Sequence, residues 1–367
     1  MSLSNHQSSQ PRLFGLQHSN RNFTRPESWG KNCFNSSFPA ALSIYLESCN
    51  FKNCYLKLDS NLQVQHSEIS TQELYGCSSN LEDLFYAFES QFSPYQQYVI
   101  GTLPNVDLVT QSRTLRTCLN ALEIKLTALP DHTTCDLTED RYSCELVIRP
   151  DTIVYLACRI ADRLSSQVEW LQDYLEKANL LSIQLSVWAE AKEIIPYTAT
   201  ILRVIDHLLL RIINDQSPLL MQPVWKTQGK SPQLSDYCLD VFVWSDLALT
   251  RLFIDRAKAD AETGFSKGIT RHMRSAIWLL RMIQEFAMNR AFDHGQIIDS
   301  LSYNTKNDKA FSINGLATHR YLKSDILTKP RIHQSEIKNI ILGGGQNLLS
   351  PERRFDAIIY NSPNLFH

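Results

Sequence analysis

ALEIKL (residues 121–126), together with NVDLV (105–109) upstream of it, is the stretch on which the reading of the fold turns. Both segments alternate apolar and polar residues, the pattern of a half-buried strand whose successive side chains point to opposite faces. On a strand through 121–126, Glu123 and Lys125 share one face, so a carboxylate and an ammonium converge on one point. Asp107 stands 16 positions before Glu123, a separation that lets the intervening turn fold back and bring it against the glutamate. Two carboxylates on neighbouring strands suit a hard divalent cation such as Mg2+, which keeps several waters and needs few protein ligands.

Working outward, Ser79 and Glu82 have the spacing of a capping box. They predict a helix from Leu81 to Gln91 with Leu81, Leu84, Phe85 and Phe88 on its apolar face. On that helix Glu82 serves as a cap and Glu89 is solvated, although either side chain is long enough to reach a cation through water. KNCYLKLDSNLQVQH (52–66) reads as two short strands around an Asp-Ser-Asn turn, YSCELVI (142–148) as a further strand, and about Asp151 to Ser165 as a helix. The order is therefore helix, strand, strand, strand, helix.

Beyond 165 the texture is helical, with amphipathic segments near 166–179, 181–194 and 198–214. A loop carrying Pro218, Pro223 and Pro232 follows, and then helices near 240–258 and 266–290. The expected fold class is α/β (α+β), a mixed central sheet with a large helical C-terminal part. A polar tail spans 1–12, an N-terminal segment and core 13–165, and the mainly helical part 166–367, packed with the core as one unit.

The chain has 367 residues, 43% of them hydrophobic and 20% charged, which excludes disorder as its main state. No apolar run approaches the 18 or so residues of a membrane span, and the polar first residues are unlike a secretory leader, so a cytoplasmic location is expected. The nine cysteines are scattered; Cys49 and Cys54 lack a second pair or nearby histidines for a zinc site, so reduced thiols are expected.

The net charge of −2 is unevenly spread: Lys and Arg against Asp and Glu number 6 to 3 over residues 1–60, 13 to 24 over 61–250, and 17 to 11 over 251–367. A polyanion needs local rather than global positive potential, which makes the two ends the better nucleic-acid surfaces, although such swings also arise as ordinary surface variation. LFGLQHSNRNFTRPESWGKNCFNSSF (13–38) sets Asn20, Arg21, Asn22, Lys31, Asn32 and Asn35 between aromatics. TKNDKAFSINGLAT (305–318) carries Lys306, Asn307, Lys309 and Asn314, and GGGQNLLSPERRFD (343–356) adds Arg353 and Arg354. Amides and cations of this kind read base edges and phosphates, while the same composition at 13–38 also serves an irregular loop held down by its aromatics. The glycine triplet lacks the Gly-Lys-Ser/Thr ending of a phosphate-binding loop. Lys267, Arg271 and Arg274 fall on one helix face, either a phosphate ridge or a solvated surface.

Asp, spacer and Glu-x-Lys on a hairpin is the PD-(D/E)xK nuclease pattern, in which a cation neutralises the scissile phosphate and activates water while the lysine stabilises developing charge. Two other Glu-x-Lys triplets lack that context: Glu190-Ala191-Lys192 has a helical pattern, and Glu336-Ile337-Lys338 follows no acidic strand. Over residues 13–42, 121–131, NDKAFSINGLAT and LSPERR, the sequence resembles the HindVP/HgiDI-like type II restriction endonucleases. The resemblance implies Mg2+-dependent cutting of both strands of double-stranded DNA at the palindrome GRCGYC, leaving 5′-phosphate ends, with a cytosine- or adenine-modifying DNA methyltransferase as functional partner. It places metal binding on Asp107 and Glu123 and water positioning on Lys125. A palindrome implies a homodimer, and its G·C pairs suit Arg21, Lys31, Lys306, Lys309, Arg353 and Arg354 as readers. The Pro-Asp half is irregular, since Pro104 is followed by Asn105 and the aspartate comes two residues later. The competing classes are a repair or structure-specific nuclease using the same three residues, and a catalytically decayed DNA-binding homologue.

Overall fold

The computed structural model describes residues 40, 43, 47, 50–77, 81–126, 146–222, 225–228, 231–234, 237–238, 242–264, 268–303, 310–313 and 332–333. Strands β1 (Asn53–Leu58) and β2 (Val64–Ile69) form the hairpin expected at 52–66. Asp59 closes its turn, one carboxylate oxygen accepting the amides of Asn61 and Gln63 at 2.8 and 2.9 Å. A short helix, α1 (Thr71–Tyr75), follows; Ser70 and Glu73 make the capping box, and Gly76 ends the helix at φ +70°, a conformation that glycine adopts without strain.

The segment expected as a helix over Leu81–Gln91 is instead a single 3-10 turn at Leu81–Asp83 followed by strand β3 (Leu84–Gln91). Leu84, Tyr86 and Phe88 are buried at period two, so LFYAF fits a strand as well as a helix, and its aromatics favour the strand. Strands β4 (Asn105–Ser112) and β5 (Cys118–Leu122) continue from it as an antiparallel meander in the order β3-β4-β5.

ALEIKL is not one uninterrupted strand. β5 stops at Leu122, and β6 (Lys125–Leu126) begins after a two-residue break at Glu123 and Ile124. Strand β8 (Pro218–Gln222), the short strands β9 (Trp225–Gln228), β10 (Ser231–Leu234) and β11 (Tyr237–Cys238), and β12 (Phe242–Ser245) come later in the chain, and β6 lies in a second sheet ordered β2-β1-β12-β8-β6. That sheet is mixed: β6 with β8 and β1 with β12 are parallel, whereas β1 with β2 and β8 with β12 are antiparallel. The break therefore carries the chain from the meander straight into the mixed sheet, and residues on both sides of position 165 build that sheet. Strand β7 (Leu146–Ile148), which occupies only the end of the expected 142–148, pairs with β13 (Phe311–Ile313).

Helix α2 (Pro150–Leu164) matches the expected 151–165, with Pro150 at its first position, Asp151 in the first turn and Arg163 in the last. Helices α3 (Val168–Lys177) and α6 (Thr198–Arg211) also stand where the periodicity puts them. The stretch 181–194 is split into α4 (Leu185–Ala189) and α5 (Ala191–Ile194) because Glu190 between them is extended. The helix expected from 240 starts later: Phe242, Val243 and Trp244 pair in β12, and Ser245 then caps α7 (Asp246–Glu262) by accepting the Ala248 amide. Helix α8 (Arg271–Asn289) packs against α2 and α7 and is buried along most of its length; Trp278, together with Trp188 and Trp244, is among the largest fully buried side chains. Among the described residues no helix is long and apolar enough to cross a membrane.

Candidate active site

The register of the meander decides where the predicted carboxylates go. Leu108 pairs with Leu122 and Val109 with Ala121, so one step further sets Asp107 opposite Glu123. A hydrogen bond confirms the step: Oδ2 of Asp107 accepts the amide hydrogen of Ile124 at 2.7 Å, which puts the carboxylate against the peptide joining Glu123 to Ile124. Glu123 itself is buried, 7% exposed, and a buried carboxylate needs partners. Thr152, in the first turn of α2, supplies one by donating its hydroxyl hydrogen to Oε1 of Glu123 at 2.7 Å.

The same face of α2 braces the strand leading to Glu123. Tyr155 donates its phenol hydrogen to the Ala121 carbonyl at 2.7 Å, and burial pushes that phenol up, so it stays protonated. Arg159, one turn on, donates to the Ala121 carbonyl at 3.0 Å, to the Asn120 side-chain oxygen at 2.7 Å, and to Ser217 beside β8 at 3.0 Å. Asp246 lies fully buried beneath this cluster, accepting the amides of Ser217 and Leu247. Burial pushes its carboxyl up against the pull of Arg163 and Arg159. Thr152, Tyr155 and Arg159 thus form one row on α2, bonded to Glu123, Ala121 and Asn120.

Asn105, where a contiguous Pro-Asp pair would put its aspartate, is exposed at the start of β4 and pairs with Gln91, whereas Asp107 is the residue held at the Glu123 peptide. Lys125 has its main chain in β6, paired with Met221, and its side chain lies outside the described residues. Because positions 123 and 124 are not strand, the simple alternation that sets Glu123 and Lys125 on one face does not apply across them. Glu89 is not on a helix: it is half-buried in β3 at φ +47°, and the pairs Phe88–Leu108 and Ser90–Val106 leave it opposite Asp107. Among the described residues no group of three or more His, Cys, Asp or Glu side chains is gathered as a metal cluster. Two carboxylates, one on β4 and one at the break after β5, nevertheless offer hard oxygens that fit Mg2+, an ion that takes few protein ligands and keeps several waters.

Of the three cations proposed as a phosphate ridge, Arg274 is fully buried with its guanidinium 4.6 Å from the Trp278 ring centroid, so it faces the core and no ridge forms. Lys267 lies outside the described residues. So do the DNA-reading candidates Asn20, Arg21, Asn22, Lys31, Asn32, Asn35, Lys306, Asn307, Lys309, Asn314, Arg353 and Arg354. Thr152 is the site residue that reading by motif missed, since a threonine inside a helix carries no motif; its one sequence cue is its place in the first turn after Pro150.

No solved structure matches the chain. The family model for HindVP restriction endonuclease matches residues 29–366. A relative from Haemophilus influenzae, "Probable type II restriction enzyme HindVP", is 44% identical over 356 residues, covering 97% of this chain and 95% of its own length. "Type II restriction enzyme HgiDI" from Herpetosiphon aurantiacus is 40% identical over 360 residues, 98% of each chain. With that identity and coverage, the chain belongs to the HindVP restriction endonuclease family, whose members are type II restriction enzymes, site-specific deoxyribonucleases.

Proposed function

We propose that the protein is a type II restriction endonuclease that hydrolyses both strands of double-stranded DNA at the palindrome GRCGYC, using Mg2+ and leaving 5′-phosphate ends. The observation that supports the reading is the seat of Asp107 on the peptide that follows Glu123, which the register of β4 and β5, carried one step on, sets opposite the glutamate. These two residues would hold the cation. When bound, it supplies positive charge to the scissile phosphate and lowers the pKa of a water. Asp107 and Glu123 would orient that charge, and Lys125 would supply an ammonium to stabilise the negative charge that develops on the phosphate. Thr152, Tyr155 and Arg159 keep the strand end from yielding as DNA docks.

A two-fold symmetric site is read most simply by a two-fold symmetric homodimer, each subunit contacting one half-site. Arg21, Lys31, Lys306, Lys309, Arg353 and Arg354 are the candidates to pair with guanines, supported by Asn20, Asn22, Asn32, Asn35, Asn307 and Asn314. A DNA methyltransferase modifying the same site would protect the host genome, and the enzyme would work in the cytoplasm.

The test is to incubate the purified protein with unmethylated plasmid and Mg2+ and to sequence the ends. Discrete fragments ending within GRCGYC support the reading in full. Discrete cutting at another palindrome corrects the site alone, a smear supports an unspecific nuclease, and tight binding without cutting at any metal concentration supports a decayed homologue.

A further inference from the structure

We infer that Thr152 is a positioning residue for Glu123, setting the direction in which that carboxylate meets the divalent cation; the inference rests on the two-carboxylate site proposed above. Glu123 stands at the break between β5 and β6, where neither sheet's ladder holds its backbone in strand geometry. Its orientation must come from side-chain contacts. Thr152 is fully buried and lies 29 residues away, on α2, an element that packs on the sheet independently of the break. The separation of 2.7 Å is that of a well-formed hydrogen bond from a hydroxyl to a carboxylate oxygen.

A threonine hydroxyl has one hydrogen to give. Here it goes to Oε1, not to a main-chain carbonyl one turn back, which is the usual outlet for threonine in a helix. Thr152 sits in the first turn of α2, where the main-chain N–H groups point outward and favour negative charge, so the helix end and the hydroxyl act on the same carboxylate. Tyr155 and Arg159 hold the Ala121 carbonyl two residues upstream, so α2 grips both the strand and the side chain that leaves it. The effect is to fix the glutamate's rotamer before metal or DNA arrives. Such partners of metal ligands are worth about 10–100-fold in metal affinity or activity.

The experiment compares wild type with Thr152→Val, which keeps the shape and deletes the hydroxyl, Thr152→Ser, which keeps the hydroxyl, and Glu123→Gln. Mn2+ affinity is read by electron paramagnetic resonance without DNA, the Mg2+ concentration for half-maximal cleavage is measured separately, and thermal unfolding in chelator checks the fold. Thr152→Val should weaken Mn2+ binding and raise the Mg2+ requirement by about 10–100-fold, with cleavage recovering at high Mg2+, while Thr152→Ser stays within about threefold of wild type. A folded Thr152→Val protein that titrates like wild type overturns the proposal. Should valine prevent folding, Thr152→Ala is measured below its melting temperature, and wild-type metal affinity there overturns it equally. Glu123→Gln separates the two levels: if it keeps wild-type Mn2+ binding, the two-carboxylate site itself is wrong, whereas loss in Glu123→Gln without loss in Thr152→Val removes only the role of Thr152.

Discussion

Asp107 and Ile124 are joined side chain to main chain, the aspartate's Oδ2 accepting the isoleucine amide hydrogen at 2.7 Å across the β4–β5 pair. The bond ties the acidic strand to the point where the chain leaves one sheet for the other. In the proposed site the carboxylate has two duties, satisfying the Ile124 amide and facing the cation, and substitutions can separate them.

Asp107→Asn keeps an oxygen for the Ile124 amide but loses the charge. It should fold with near-wild-type stability and lose about a hundredfold or more in cleavage, the scale expected when metal-derived charge stabilisation of several kcal/mol is lost. Asp107→Ala should lose the same activity and, in addition, about 1–3 kcal/mol in urea unfolding, because the amide is left without its partner. Asn105→Ala is the control, and it should cut DNA as wild type does. Full cleavage by Asp107→Asn with loss in Asn105→Ala would move the metal ligand to the other position.

Tyr155→Phe removes the hydrogen that α2 gives the Ala121 carbonyl and the oxygen that receives the Arg159 Nε hydrogen. Expected are a loss of about 1–3 kcal/mol in denaturant unfolding and a several-fold fall in kcat with DNA affinity in Ca2+ unchanged. An unchanged kcat in the destabilised variant would show that the brace serves stability alone.

Arg274→Ala should lower the melting temperature, since it deletes a fully buried side chain lying over Trp278. The cost should be at least the ~1–2 kcal/mol of a desolvated cation–π contact, with a cavity added. The slope of DNA affinity against salt should stay as in wild type, because a cation in the core neutralises no phosphate. A shallower slope would return Arg274 to the DNA surface.

Asp246 governs a pH effect whose sign follows from its raised carboxyl pKa, burial being the main cause. A group that binds its proton more tightly in the folded state contributes stability fully below its unfolded value of 3.8, and loses it as pH rises through the higher folded value. Asp246→Asn keeps an oxygen for the Ser217 and Leu247 amides and does not titrate. Relative to this variant, wild type should therefore lose unfolding free energy as pH rises above 3.8, measured by urea titration at several pH values. A difference that stays flat or reverses would mean that Arg163 and Arg159 outweigh the burial.

Much of the architecture can be read along the chain because it rests on local signals. The alternation of NVDLV, the Asp-Ser-Asn turn of the first hairpin, and Pro150 with Asp151 opening a helix each act within a few residues, and each element stands where they point. Leu81–Gln91 is ambiguous along the chain for a physical reason: LFYAF satisfies both periods, its aromatics lean toward a strand, and pairing with β4 fixes it as one. Arg274 shows the same limit, since helical spacing fixes which residues share a face but not whether that face meets water or Trp278.

By itself, the sequence settled the family and the chemistry on offer, because residue types and their spacing are properties of the chain alone: two carboxylates, a lysine and the long strings around them. Tertiary structure alone decided that the strand breaks at Glu123, that Asp107 rather than Asn105 meets the break, and that Thr152 grips the glutamate. Those are relations between elements distant in sequence, and they come into being only when strand register and helix packing bring the elements together.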